Sequence, residues 1–161
     1  MKKQNNAGFS LVELIVTILI MSILTAGVVI SVAAMHRADS DKEANKIASV
    51  LEKGRMTVLS KTESIYVKLY ADAEGHKYIS LVQGGAETIT TGLDDDVVIA
   101  YKEAGGVETT LAANGAVNIY FSKSSGAFRS PYVEYIKVTA DKDLYVCLVA
   151  DTGRCYIDTT Y

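Results

Sequence analysis

GFSLVELIVTILIMSILTAGVVISVAAM, Gly8 to Met35, decides how the rest of the chain is arranged. No residue from Leu14 to Met35 carries a charge. As a helix rising ~1.5 Å per residue the run is about 33 Å long, enough to cross a hydrocarbon core. One carboxylate, Glu13, sits just inside its N-terminal edge. An acid in a membrane helix costs on the order of 2.5–3.5 kcal/mol at the centre, less near the edge, and usually marks function.

Lys2 and Lys3 precede the run, and the next positive residue after it is Arg37. The positive-inside rule puts the N-terminus in the cytoplasm and everything after Met35 outside. The run is too long for the apolar core of a secretory signal peptide, about 7–15 residues. A plain single-pass anchor is the alternative that hydropathy leaves open.

The order of a short basic and polar leader, a glycine, a phenylalanine, an acid four residues on and an apolar helix resembles the N-terminus of type IV prepilins and type II secretion pseudopilins. Gly8-Phe9-Ser10-Leu11-Val12-Glu13 carries that likeness. The resemblance implies cleavage after Gly8 by a prepilin peptidase and N-methylation of the new terminus, Phe9, which keeps its positive charge. It further implies that this ammonium in one subunit faces Glu13 of a neighbour during filament assembly. Such a pair neutralises two otherwise isolated charges and fixes axial register in an apolar seam. Many major pilins carry a helix-kinking proline partway along. This chain has Ile30 there and its one proline at Pro131, which favours a minor subunit.

Beyond the membrane, Ala44, Ile47, Val50, Leu51, Gly54 and Val58 recur at spacings of three and four, one apolar face of a helix. Lys42, Glu43, Lys46, Glu52, Lys53 and Arg55 take the other faces. One helix is therefore expected from about Ser10 to Lys61, apolar all round and then amphipathic. Gly54 lowers helix stability by roughly 1 kcal/mol relative to alanine, and a close approach of a strand would explain it.

From Ile65 the period becomes two. Residues 65–70, 77–82, 97–102, 107–111, 117–121, 133–138, 144–149 and 154–157 read as strands, and 83–92 as a loop with a short strand. The expected fold is α+β: a long N-terminal helix packed on one C-terminal antiparallel sheet. The expected divisions are leader 1–8, membrane and filament-core helix 9–35, amphipathic continuation 36–63 and β domain 64–161.

Cys147 and Cys155 flank the turn Asp151-Thr152-Gly153, and a disulfide across that hairpin is expected in an oxidising compartment, worth about 2–3 kcal/mol. Residues 51–60, the strand 117–121 with Gly126, and Asp151-Thr152-Gly153-Arg154 make the outer domain similar, more faintly, to H-type minor pseudopilins and FimT-like minor pilins. Some FimT-like proteins bind DNA through basic residues near the C-terminus. Here Arg154 stands between Asp151 and Asp158, and the net charge of −3 argues against a nucleic-acid surface.

No nucleophile elbow, P-loop or zinc spacing occurs, and His36 and His76 are far apart, so an enzyme is not expected and no cofactor or metal is assigned. Asp94-Asp95-Asp96 lacks the alternation of a calcium loop and reads as a solvated strand start. The expected function is a structural minor pilin or pseudopilin subunit of a type IV pilus or type II secretion pseudopilus. Its implied partners are the prepilin peptidase and methyltransferase, other filament subunits, an assembly platform with a cytoplasmic ATPase, and membrane lipid before assembly. The expected location is a single-pass membrane protein that becomes a surface or periplasmic filament. Two rivals stay open: a competence-type minor pilin that binds DNA for uptake, and a surface adhesin or sensor that never assembles.

Overall fold

The computed structural model describes residues 11–61 and 63–161, and their side chains outside 23–39. The chain forms two compact units, Met1–Met35 and His36–Tyr161. Helix α1 runs from Leu11 to Ser60 without interruption, close to the expected bounds.

The second unit is built on the amphipathic half of α1. Ala44, Ile47, Val50, Leu51 and Val58 are each at most 3% exposed, so the stripe read at spacings of three and four is the buried one. Gly54 lies in the same stripe. A Cβ placed on it would stand 2.8 Å from Val67 Cγ2 and 3.2 Å from Phe121 Cε2, so a bare backbone there lets the helix approach its sheet. Glu43 corrects the expectation of a wholly polar opposite face. Its side chain is fully buried, paired with Lys46 Nζ at 2.7 and 3.0 Å.

The strands are β1 (Ile65–Ala71), β2 (Lys77–Gln83), β3 (Ala86–Gly92), β4 (Val98–Glu103), β5 (Glu108–Thr110), β6 (Ala116–Tyr120), β7 (Val133–Thr139), β8 (Asp143–Val149) and β9 (Arg154–Asp158). They form two antiparallel sheets, not the single one expected. The first has the order β3-β2-β1-β6 and the second β5-β4-β7-β8-β9. After β3 the chain leaves the first sheet for the β4–β5 hairpin, returns as β6 beside β1, and leaves again for β7 to β9. Consecutive strands pair locally within each sheet, and the long-range pairings are β1 with β6 and β4 with β7.

Alternation sets the layers. In β1, Ile65, Val67, Leu69 and Ala71 are buried while Tyr66, Lys68 and Tyr70 are half-exposed. Val67, Leu69, Ile79, Val117 and Ile119 of the first sheet share one core with Ile136, Val138, Leu144 and Val146 of the second and with the α1 stripe. The opposite faces carry tyrosines in pairs, among them Tyr66–Tyr120, Tyr70–Tyr78 and Tyr135–Tyr145.

Candidate functional site

The first turns of α1 hold the candidate assembly site. Leu11, Val12, Leu14, Ile15, Val16, Ile18, Leu19, Ile20 and Met21 are all about half or more exposed, so apolar surface runs around the whole helix. The hydroxyls within it turn inward on the backbone: Thr17 Oγ1 donates to Leu14 O at 2.9 Å, and Ser22 Oγ to Leu19 O at 2.8 Å. Glu13 differs. It is the acid of the first helical turn, where the helix dipole favours negative charge. Among the described residues its carboxylate takes part in no hydrogen bond or ion pair. Gly8 and Phe9, the residues expected to be cut and methylated, lie outside the described residues.

Among the described residues no helix is long and apolar enough to cross a membrane. The span expected at residues 14–35 falls in large part on 23–39, whose side chains lie outside the described ones.

The expected disulfide is not formed; Cys147 and Cys155 are free. Hairpin register is the reason. Val149 pairs with Arg154, Leu148 with Cys155, and Cys147 with Tyr156. The two cysteines are one step out of register and so point to opposite faces of the sheet. Cys155 Sγ donates to Ala48 O of α1 at 3.7 Å, on the core side. Cys147 Sγ lies 3.9 Å from Tyr145 O. Burial pushes the Cys155 thiol up to about 11 and raises that of Cys147.

Cys147 belongs to a polar and aromatic outer face. Tyr135, T-shaped against Tyr145 and 4.3 Å from the Tyr161 ring centroid, donates its hydroxyl to Glu108 at 2.8 Å. Burial and that carboxylate push its phenol up to about 12. Lys102 pairs with Glu134 at 2.7 Å, and the hydrogen bond raises the lysine and lowers the glutamate.

The acid cluster is satisfied locally rather than poised for a metal. Asp94 Oδ1 accepts the N–H of Asp96 at 3.1 Å, and Asp95 Oδ2 lies 2.9 Å from His76 Nδ1. Among the described residues no group of three or more histidine, cysteine, aspartate or glutamate side chains is placed to hold a metal ion.

Sequence reasoning missed two arrangements. Arg55 Nε donates to Thr152 O at 3.0 Å, tying α1 to the last hairpin turn. Residues 122–130, between β6 and β7, place Lys123 and Arg129 beside Tyr120 in a groove. The signal available was the run SKSSGAFRS, two cations among hydroxyls and no acid.

The model of the prokaryotic N-terminal methylation motif matches residues 3–29. The chain thus carries the motif of type IV pilin-like and pseudopilin-like proteins, a structural rather than an enzymatic class. The motif implies processing by a prepilin peptidase, assembly with other pilins, and a membrane-anchored protein that passes into a surface or periplasmic filament. No curated protein and no solved structure matches the chain. The motif ends at residue 29, so the H-type and FimT-like resemblance of the outer domain gains no support from it.

Proposed function

We propose that the chain is a minor structural subunit of a type IV pilus or a type II secretion pseudopilus, cut after Gly8 and methylated at Phe9. One observation carries this reading: a lone carboxylate, Glu13, with no described partner, in a helical segment whose other polar side chains bond their own backbone. Such a helix needs covering by lipid or by other helices. Its acid needs a cation, and a neighbouring subunit meets both needs at once: its helix covers the apolar surface and its Phe9 ammonium pairs with Glu13. Neighbours related head to tail then continue into a filament, because such contacts do not close on themselves. The second unit decorates the outside.

The test has two parts. Mass spectrometry of the mature N-terminus is expected to find methylated Phe9, and an intact leader refutes processing. Glu13→Gln keeps the shape but removes the charge. It is expected to leave cleavage intact and to reduce filament incorporation at least tenfold, and normal incorporation refutes the charge-pair role.

A further inference from the structure

The end of α1, the start of β1 and the end of β6 enclose a groove of about 330 Å³. Its floor is apolar: Val58, Ile65 and Phe121. Its rim is not. Ser64, Ser122 and Ser124 supply hydroxyls, and Lys123 and Arg129 supply positive charge. Among the described residues no aspartate or glutamate lines it, although the chain as a whole carries a net charge of −3. A second depression, lined by Tyr120, Arg129, Ser130 and Pro131, continues past the shared pair Tyr120 and Arg129.

The pair is held in place by backbone. Arg129 N–H donates to Tyr120 O at 2.9 Å, and the next residues inward, Phe121 and Phe128, form a β-bridge with ring centroids 5.1 Å apart. Tyr120 is 40% exposed, and its ring centroid lies 5.3 Å from that of Tyr66, tilted against it. None of the described hydrogen bonds or ion pairs uses the Arg129 guanidinium. A fixed aromatic face, an apolar floor, several hydroxyls and an exposed guanidinium thus converge on one concavity, as small-ligand sites do.

We propose that this groove binds an acidic sugar. The planar guanidinium of Arg129 takes the anionic group in a bidentate pair, with Lys123 adding a point charge. Tyr120 and the floor pack against the C–H face of the ring, and the serines meet its hydroxyls. A nucleic-acid strand fits less well, because it needs a longer basic track than two cations in an acidic chain. A carboxylate and a phosphate offer the same chemistry to Arg129, so both are tested.

The experiment titrates the full chain in detergent micelles with galacturonic acid, galactose 6-phosphate, galactose and inorganic phosphate, read by amide chemical shifts. Either acidic sugar is expected to perturb residues 120–129 and to bind at least tenfold more tightly than galactose or inorganic phosphate. Uronate binding alone assigns a carboxylate, and phosphosugar binding alone assigns a phosphate. Arg129→Ala is expected to weaken binding at least tenfold, Arg129→Lys less, and Tyr120→Ala to erase the preference for sugar over inorganic phosphate. The proposal is overturned if neither acidic sugar perturbs residues 120–129, whether or not a single-stranded oligonucleotide binds there, if galactose or inorganic phosphate binds as well as the acidic sugars, or if Arg129→Ala binds like the wild type.

Discussion

Gly153, in the last hairpin turn, lies directly against the backbone of Gly126 in the loop between β6 and β7. Gly153 has φ +66° and Gly126 φ +71°, a region that L side chains rarely adopt. A Cβ on Gly153 would overlap the Gly126 carbonyl and stand 3.2 Å from Ala127 Cα. Phe128 N–H donates to Ala150 O at 2.9 Å beside it, and Arg55 reaches Thr152 O from α1. Loop and hairpin therefore meet through main chain, and the helix joins them through the Arg55 side chain.

Gly153→Ala accordingly faces both left-handed strain, about 1–2 kcal/mol, and a backbone clash that no rotamer relieves. A loss of roughly 3 kcal/mol is expected in urea unfolding. Arg55→Ala removes the hydrogen bond to Thr152 O and a long ion pair with the half-exposed Glu52, and is expected to cost about 1 kcal/mol. Equal losses in the two variants would contradict the main-chain junction.

Gly54→Ala sets two effects against each other. Alanine favours helix by roughly 1 kcal/mol over glycine. The new methyl would sit 2.8 Å from Val67 Cγ2, a buried β-branched side chain with no room to swing away, and overpacking typically costs about 1–3 kcal/mol. A net loss of about 1–2 kcal/mol is expected. In a Val67→Ala background the same substitution should become neutral or stabilising, and a double-mutant cycle measures the difference.

What the sequence reveals divides along physical lines. The long helix and the buried strands are legible because a half-buried element imprints its period on the apolar residues, as in Ile65-Tyr66-Val67-Lys68-Leu69-Tyr70. β3 is hard to see because an edge strand with AETITTG buries almost nothing and carries one large apolar residue, Ile89. The split into two sheets depends on β6 pairing with β1 rather than β5, a long-range choice that no local pattern encodes. Glu43 looks like a solvated residue until the fold buries it against Lys46, whose ammonium also reaches the Gly92 carbonyl. At the assembly site the motif names Gly8, Phe9 and Glu13, but a neighbouring subunit is needed before any of their pairings has a geometry.

Cys147 and Cys155 should remain thiols even in an oxidising buffer, because their side chains leave opposite faces of the β8–β9 hairpin. Two thiols per chain are expected on Ellman titration of unreduced, denatured protein, with Cys155 reacting slowly in the native state because burial holds its thiol near 11. Dithiothreitol should leave the melting temperature unchanged. A mass two hydrogens lower than the reduced chain would contradict the register.

Glu43 and Lys46 form a pair in which only the lysine reaches solvent, with side-chain exposures of 0% and 28%. Lys46 Nζ also donates to Gly92 O at 3.1 Å, linking α1 to the end of β3. Lys46→Met leaves a buried carboxylate without its cation and is expected to cost about 2–4 kcal/mol. Glu43→Met with Lys46→Met removes both charges and should recover at least half of that loss, because desolvation of the pair disappears with it. A double variant as unstable as the single one would show that packing, not charge, dominates.

His76 gives the outer domain a pH dependence whose sign is set by its partners. The hydrogen bond to Asp95 is the largest cause of its raised pKa, followed by the charges of Asp95 and Asp72. A histidine whose folded pKa exceeds its unfolded value, about 6.5, stabilises the fold fully below that value. The contribution fades as pH rises through the folded midpoint. The imidazole and the carboxylate are half or more exposed, so the effect is modest and screened by salt. The His76 titration followed by NMR should therefore have a midpoint above about 6.5, and Asp95→Asn should bring it down toward that value. The melting temperature of the wild type should fall slightly between pH 6 and pH 8, and less so in Asp95→Asn. Because Asp95 is engaged by His76, and by Lys77 through its carbonyl at 3.1 Å, the same substitution also tests whether the β3–β4 loop depends on this contact. A midpoint that does not move in Asp95→Asn would mean that the pair seen at 2.9 Å is not held in solution.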